Sequence, residues 1–318
     1  MANEKVLIIK TGYAESLDYN LDSRKVSLGD VLRTTPLLHL FKEDHVSWAT
    51  DSEALLLLDG NPFIDRLMTF DQFLPYQLEN ERFDTVINLE KVSGICAMTD
   101  KIHAWKKYGF RFDSESGEAK AYDHAFDVLA VSANPQLKKE NVKTAQELLF
   151  EMVGKKWDGE EYVLGYKPST TEQYDLSFNV VVGSKWPNKT WPEKNWNKLE
   201  RMLKSEGLKV TRQDKQPKEM FENIHRYIDW INQSRLVVSN DSLGLHIALA
   251  VKKKVIGLFG PTPSKEVYFY GRGEAITTDD DLSECLPCFK PTCIHETNCM
   301  SRISPEKVYE KVNLYLKK

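Results

Sequence analysis

The chain has 318 residues, 41% of them hydrophobic and 28% charged, which is ample for a large core and suggests two domains rather than one. Its net charge of −4 carries no overall signature of a nucleic-acid binder, so no nucleic-acid partner is expected. The opening MANEKVLIIK has a short apolar run ending at Lys10, neither a signal peptide nor a membrane span, and no later run reaches that length, so a cytoplasmic protein is expected.

Along the N-terminal half, short apolar runs alternate with apolar-periodic segments. Val6–Ile9 reads as a strand, Val31–Phe41 as a helix, Val46–Ala49 as a strand and Ser52–Leu58 as a helix. Arg66–Phe70 and Thr85–Leu89 read as further strands, with breaks at Gly60-Asn61-Pro62 and Asn80-Glu81-Arg82. This alternation implies a parallel sheet with helices on both faces. Lys101, Lys106, Lys107 and Arg111 form a basic cluster that suits either an anionic membrane surface or an ordinary solvated helix face. Asn141–Val153 reads as an amphipathic helix with Val142, Ala145, Leu148, Leu149 and Met152 along one face.

The polar stretch Lys155–Ser177, with Gly159, Gly165 and Pro168, is the expected linker between a domain over residues 1–165 and a second over 166–304. There the alternation restarts. Asn179–Val182 is expected as a strand, Pro192–Ser205 as a helix, Leu208–Val210 and Leu236–Ser239 as strands, Ser242–Val251 as a helix and Val255–Phe259 as a strand. A final helix, Pro305–Leu316, is assigned to a separate piece over 305–318 that could pack back toward the first domain. Two such domains in succession make a cleft between the carboxyl ends of two sheets, where open α/β folds bind ligands.

Polar motifs fall on that side. Gly29-Asp30 follows the first strand of the first half, and Ser184–Lys189 follows the first strand of the second. Asn240–Gly244 and Gly260-Pro261-Thr262 follow later strands. In VVSNDSLGLHIALA, Val237–Ala250, an apolar run meets a polar junction and then a helix-like segment. Asp241 or Ser242 is a good N-cap, Gly244 lets a group approach the backbone, and a helix start can hold a phosphate. A plain capped helix with His246 as a satisfied core histidine accounts for the same residues.

Taken together, GSKWPNKTWPEKNW, SNDSLGLHIALA and VIGLFGPTPS, with SLGDVLRTTPLL near the start, resemble glycosyltransferase family 9, the ADP-heptose heptosyltransferases of lipopolysaccharide synthesis. FDTVINLE at Phe83–Glu90 is similar as well. The resemblance is strongest over Val180–Lys265 and at Val6–Lys10 with Gly29–Leu38. It implies a GT-B fold, two Rossmann-like doubly wound parallel-sheet α/β domains facing across a cleft. It also implies an ADP-sugar donor held mainly by the C-terminal domain, ADP-heptose above all, an acceptor on the N-terminal side, and inverting transfer without an Asp-x-Asp metal motif. TDDDLS at Thr278–Ser283 reads as a solvated turn instead.

Inverting transfer needs a base, and fixed positive charge must replace a metal on the leaving diphosphate. By the resemblance, Asp30 stands where the family's base stands, although a helix cap would also use it. Lys189 matches the phosphate-contacting lysine, Ser184 and Lys185 lie at further phosphate contacts, and Ser242, Leu243 and Gly244 offer backbone N–H groups. Asp241 would hydrogen-bond the sugar, His246 would support the loop, and Asp214 or Glu219 would meet the donor's ribose. Trp186 and Trp191 bracket Lys189 on an apolar loop. Two departures stand out. TGYAESLDYNLDSRKVSL, Thr11–Leu28, intervenes before Gly29-Asp30, and its Arg24 and Lys25 suit an anionic acceptor or a solvated loop equally. Ser242 and Leu243 replace the common Thr and Gly, which leaves backbone donors intact.

Four of the five cysteines, Cys285, Cys288, Cys293 and Cys299, fall in one stretch with spacing C-x2-C-x4-C-x5-C, while Cys96 stands alone. Four thiolates in a reducing compartment suit a structural zinc or iron ion on a small knuckle over 285–299. Free thiols or disulfides are the alternatives. The expected protein is an enzyme moving a heptose or similar sugar to a glycan, lipid-linked or protein hydroxyl, without a catalytic metal. A lipid-linked acceptor would place it at the inner face of the cytoplasmic membrane. A non-catalytic nucleotide-sugar sensor on the same fold is the alternative, and a redox module built on the cysteines is a third reading.

Overall fold

The structure, a computed structural model, describes residues 3–13, 26–278 and 285–317. It divides between Tyr166 and Lys167 into two units. In the first, β1 (Lys5–Ile9) leads to α1 (Leu28–Thr34), a 3-10 turn at Thr35–Phe41, β2 (His45–Thr50), α2 (Leu55–Leu58), β3 (Arg66–Thr69) and α3 (Leu74–Glu79). Then come β4 (Arg82–Asn88), α4 (Ser93–Lys101), β5 (His103–Phe112), β6 (Ala119–Ala121), α5 (Phe126–Ala133), α6 (Pro135–Glu140) and α7 (Ala145–Glu151).

The strand order is β3-β2-β1-β4-β5-β6, parallel except for β6 against the end of β5. Val6–Ile9 is wholly buried, as a strand covered on both faces must be, and it pairs with β2 on one side and β4 on the other. The chain order reverses between β1 and β4, which makes that gap the switch point of the sheet.

Three readings are corrected here. The helix expected over Val31–Phe41 is α1 followed by a 3-10 turn with Pro36 near its start, because proline removes a helical N–H and its ring crowds the preceding turn. The basic cluster is not a helix face. Lys101 ends α4, whereas Lys106, Lys107 and Arg111 lie on β5, and Lys107 Nζ donates to the Thr99 and Asp100 carbonyls at 3.0 and 2.9 Å. The helix expected from Asn141 begins at Ala145, where Thr144 and Glu147 form a capping box, leaving Val142 exposed before it.

The second unit runs β7 (Tyr174–Asn179), a 3-10 turn at Pro187–Lys189, α8 (Glu193–Ser205), β8 (Val210–Arg212), a 3-10 turn at Gln213–Lys215, α9 (Glu219–Glu222), α10 (Ile224–Asn232) and β9 (Ser234–Asn240). It continues through α11 (Leu243–Ala250), β10 (Lys254–Leu258), a 3-10 turn at Ser264–Glu266, β11 (Gly273–Ile276), α12 (Cys299–Arg302) and α13 (Pro305–Lys317). The strand order is β11-β10-β9-β7-β8, all parallel, with the switch point between β7 and β9.

The strand expected over Asn179–Val182 lies earlier, starting at Tyr174 within the stretch read as linker and ending at Asn179, because Leu176 and Phe178 enter the core and Val181 does not. The C-terminal helix, expected as a separate piece, falls within this unit: α13 lies on α8, β9 and β10, with Val308 and Val312 buried in the core of Leu176, Phe178, Trp196 and Leu199. Among the described residues, no helix is long and apolar enough to cross a membrane.

Candidate functional site

In the second unit the switch point is built on two buried amides. Asn179 ends β7 and Asn240 ends β9, both without solvent exposure. Asn179 Nδ2 donates to the Ser239 and Ser242 hydroxyls, each at 2.8 Å, and its Oδ1 accepts from the Tyr227 hydroxyl. Asn240 Nδ2 donates to the Val180 carbonyl at 2.7 Å, and its Oδ1 accepts from Trp191 N–H at 3.2 Å. Amides with partners on both sides can be buried without penalty. They tie the start of α11 to the loop after β7. From sequence, Asn240 is only the first residue of the Asn240–Gly244 motif and Asn179 only the start of an expected strand, with no supporting role visible for either.

Above this support stands a charged pair. Asp241 Oδ2 accepts from Lys189 Nζ at 2.6 Å and from the Thr262 hydroxyl at 2.7 Å. The two charged side chains are 15% and 13% exposed. The Lys189 ammonium also lies 5.2 Å from the Trp186 ring centroid. Burial pushes the Asp241 carboxyl up, but the charges of Lys189 and His246 and the two hydrogen bonds hold it well below the usual carboxylate range. His246 is buried one turn into α11. The structure therefore brings Lys189, Asp241, Ser242 and His246 to one helix start, and adds Thr262.

Ser242 is the N-cap of α11, but its hydroxyl is held by Asn179 rather than turned to the helix. A Cβ on Gly244 would stand 2.4 Å from both the Asn179 side chain and the Tyr227 hydroxyl. What crowds the Cβ side of this glycine is the protein's own support, Asn179 and Tyr227. Trp191, the second tryptophan bracketing Lys189, turns inward. It is fully buried against Trp196, and its indole N–H donates to the Ile303 carbonyl at 3.0 Å. Ser184 is exposed and Lys185 half-buried on the loop between β7 and the Pro187–Lys189 turn.

Of the two ribose candidates, Asp214 is gripped by Arg212 through Nε at 3.0 Å and Nη2 at 2.7 Å, whereas Glu219 is exposed at the start of α9. Arg212 is buried and also reaches Glu200 at 3.1 Å. Burial raises the Glu200 carboxyl, but hydrogen bonds from Lys204, Lys215 and Arg212 outweigh that and bring it down to about 2.

In the first unit the switch point holds a buried ion pair, Lys10 with Glu90 at 3.2 Å. Glu90 Oε1 also accepts from Thr11 N–H at 2.8 Å, the Thr11 hydroxyl at 3.0 Å and Gly12 N–H at 2.8 Å. Asp30 lies in the first turn of α1 but is not its cap. Ser27 takes that place and accepts from Asp30 N–H at 3.4 Å. The Asp30 carboxylate is 49% exposed, with Arg33 at 3.8 Å. Arg24 and Lys25 lie outside the described residues, as do positions 279–283 of the acidic turn.

The cysteine loop leans on the site. Asn188 N–H donates to the Pro291 carbonyl at 3.1 Å, its Nδ2 donates to the Lys290 carbonyl at 3.3 Å, and Phe289 N–H donates to the Pro261 carbonyl at 2.9 Å. The loop thus braces the segments that carry Lys189 and Thr262. Cys285, Cys288 and Cys293 are half-buried and Cys299 buried, all as free thiols. Cys285 Sγ lies 3.9 Å from His295 Nε2. Burial, then the neighbouring Cys288 and Cys293, push the Cys299 thiol up to about 11. Among the described residues no three His, Cys, Asp or Glu side chains are gathered as metal ligands.

Solved transferases share this architecture. E. coli heptosyltransferase WaaC with ADP-2-deoxy-2-fluoro heptose aligns with a TM-score of 0.63 at 15% identity, over 98% of this chain and 99% of that one. TibC, an iron-containing dodecameric glycosyltransferase from enterotoxigenic E. coli H10407, aligns with a TM-score of 0.57 at 11% identity, over 99% of this chain and 76% of that one. TibC has also been solved in complex with ADP-D-β-D-heptose. The fold is the GT-B fold of these transferases. In sequence, the chain is 35% identical over 78 residues to lipooligosaccharide heptosyltransferase 2 of Campylobacter jejuni subsp. jejuni serotype O:6. The aligned stretch spans about a quarter of the length of the curated relatives. The model of glycosyltransferase family 9 (heptosyltransferase) matches residues 74–298, and the chain belongs to that family.

Proposed function

We propose that the chain moves a heptose from ADP-heptose, or a close ADP-sugar, to a hydroxyl of a glycan, lipid-linked or protein acceptor, with inversion. The acceptor oxygen attacks the anomeric carbon, the bond to the diphosphate breaks to release ADP, and Asp30 takes the acceptor's proton. The observation that carries the reading is the Lys189–Asp241–Thr262 cluster at the α11 start, on the switch point of a parallel sheet. A diphosphate would take the Lys189 ammonium and meet the N–H groups of Ser242, Leu243 and Gly244. Asp241, released from Lys189, would then accept a sugar hydroxyl. Ser184 and Lys185 would add phosphate contacts, His246 would hold the helix start, and Asp214, braced by Arg212, would meet the ribose in preference to Glu219.

Fixed charge in these roles makes a divalent ion unnecessary, so transfer should survive EDTA. Cys285, Cys288, Cys293 and Cys299 would hold one structural zinc or iron ion. Four thiolates suit either metal by ligand type, although the side chains must converge to reach it. Its contribution would be to stiffen the loop that braces Asn188 and Pro261. A lipid-linked acceptor would bring the enzyme to the inner face of the cytoplasmic membrane.

The test is calorimetry with ADP-heptose followed by ADP release with lipid-linked and free glycan acceptors. Binding with turnover supports the transferase, binding without turnover on any acceptor turns the reading into a sensor, and no binding removes both. Elemental analysis of protein purified without metal-affinity resin settles the cysteines.

A further inference from the structure

At the switch point of the first sheet a buried carboxylate is directed at the backbone rather than at solvent. Glu90 has no solvent exposure, and its Oε1 is met by four donors from three consecutive residues, Lys10, Thr11 and Gly12, some 79 positions away in the chain. Taking a carboxylate and an ammonium out of water costs several kcal/mol per ion unless close charge-assisted hydrogen bonds offset it. Ending a strand needs no such group.

What the clasp holds lies one step further on. The Gly12 carbonyl accepts from Ser27 N–H at 2.7 Å, and Tyr13 bridges Val26 in antiparallel fashion, so the chain leaving β1 and the chain entering α1 are closed into a neck. Gly12 sits at φ +82°, and a Cβ there would lie 2.8 Å from Val31 Cγ2 and 3.1 Å from the Ser27 carbonyl oxygen. Ser27 caps the helix whose first turn carries Asp30. Each link from Glu90 to Gly12, to Ser27, to Asp30 is a hydrogen bond, and the Asp30 side chain itself stands half in solvent.

We propose that Glu90, clasping Lys10, Thr11 and Gly12, is a positioning residue that fixes the first turn of α1 and so the place of the Asp30 carboxylate. The proposal rests on the reading of Asp30 as the base. Glu90 touches no substrate in this role. It acts through the backbone, where a displacement near 1 Å can lower a rate by about 10²-fold.

The experiment compares Glu90→Gln, the double variant Lys10→Met/Glu90→Gln, and Gly12→Ala. The double variant removes the ammonium that Glu90→Gln would leave buried alone. Gly12→Ala disturbs the neck from its other side with Glu90 intact. Each is read by kcat, by the KM for ADP-heptose and by amide hydrogen exchange. The expected result is faster exchange at Ser27–Val31, kcat down about 10–100-fold and donor KM within about twofold. Unchanged exchange at Ser27–Val31 in Gly12→Ala and in whichever Glu90 variant folds overturns the proposal, as does loosened exchange with normal kcat. Loss of donor KM and kcat together, with exchange rising throughout the chain, also overturns it by showing general destabilisation. Should Asp30→Asn keep full turnover while these variants loosen α1 and lower kcat, the base reading fails and the positioning role stands.

Discussion

Where β1 and β4 part, the group beneath the loops is a buried ion pair, Lys10 with Glu90, and the exposed acid above it is Asp30. Where β7 and β9 part, the groups beneath are neutral, Asn179 and Asn240, and the ion pair, Lys189 with Asp241, stands above them at the surface. The layers are inverted. A buried pair closed by four donors cannot trade partners cheaply, so its charge serves geometry. A pair 15% and 13% exposed can give its cation to an incoming anion, so its charge serves binding. The first arrangement suits a group that must be held still, and the second a clamp that must open.

Four measurements break or sharpen this division. The largest effect is expected from Asp30→Asn, which should lower turnover about 10²–10⁴-fold, as loss of a general base does, while calorimetry finds ADP binding nearly intact. Equal loss of ADP affinity would break the division of labour. Lys189→Ala should do the reverse. It removes a charge-assisted bond and leaves Asp241 facing the diphosphate, so ADP should bind with roughly 1.5–3 kcal/mol less free energy, about 10–150-fold. Unchanged ADP affinity would put Lys189 outside the clamp.

A smaller effect, on stability, is expected from Gly244→Ala. Its methyl would meet Asn179 and Tyr227 at 2.4 Å, and overpacking of this kind costs about 1–3 kcal/mol, readable as a lower urea midpoint. An unshifted midpoint would mean that the amide support yields easily. The least effect concerns acid. The Asp241 carboxyl is held below its ordinary value of 3.8, so the unfolded chain binds that proton first as pH falls. The contribution is whole above about pH 4 and fades below it. Asp241→Asn should therefore flatten the acid limb of a urea-stability series, and an identical limb would show that the Lys189 pair adds nothing to folding.

Much of this was legible in the sequence. Val6–Ile9, Leu236–Ser239 and Val255–Phe259 are apolar runs of the length that a strand covered on both faces requires, and they are strands. The loops with Asp30, Lys189, Asp241 and Thr262 were visible as polar punctuation after such runs. What was hidden depends on partners far along the chain. Glu90 stood in the quoted FDTVINLE, but its donors lie 79 positions earlier. Asn179 meets Ser242 across 63 residues and Tyr227 across 48. Trp191 brackets Lys189 in the sequence, but the fold turns it inward. β5 was missed because HAWKKYGFRF exposes its charges and lacks a clean apolar alternation.

That same strand bears on how the protein stays dispersed. β6 pairs with β5 over Phe110–Phe112 and Tyr122 N–H donates to the Gly109 carbonyl, so among the described residues His103–Tyr108 presents the outer side of a strand. Such an edge is a template for another chain, and Trp105, 88% exposed, adds an apolar foothold. Lys106, 58% exposed beside it and ion-paired with Glu4 at 3.9 Å, sets a hydrated charge on the edge that a second edge would have to strip of water. Lys107 is turned to the α4 carbonyls and covers the helix end. Replacing Lys106 with an apolar residue would remove a gatekeeper against edge-to-edge aggregation at high concentration.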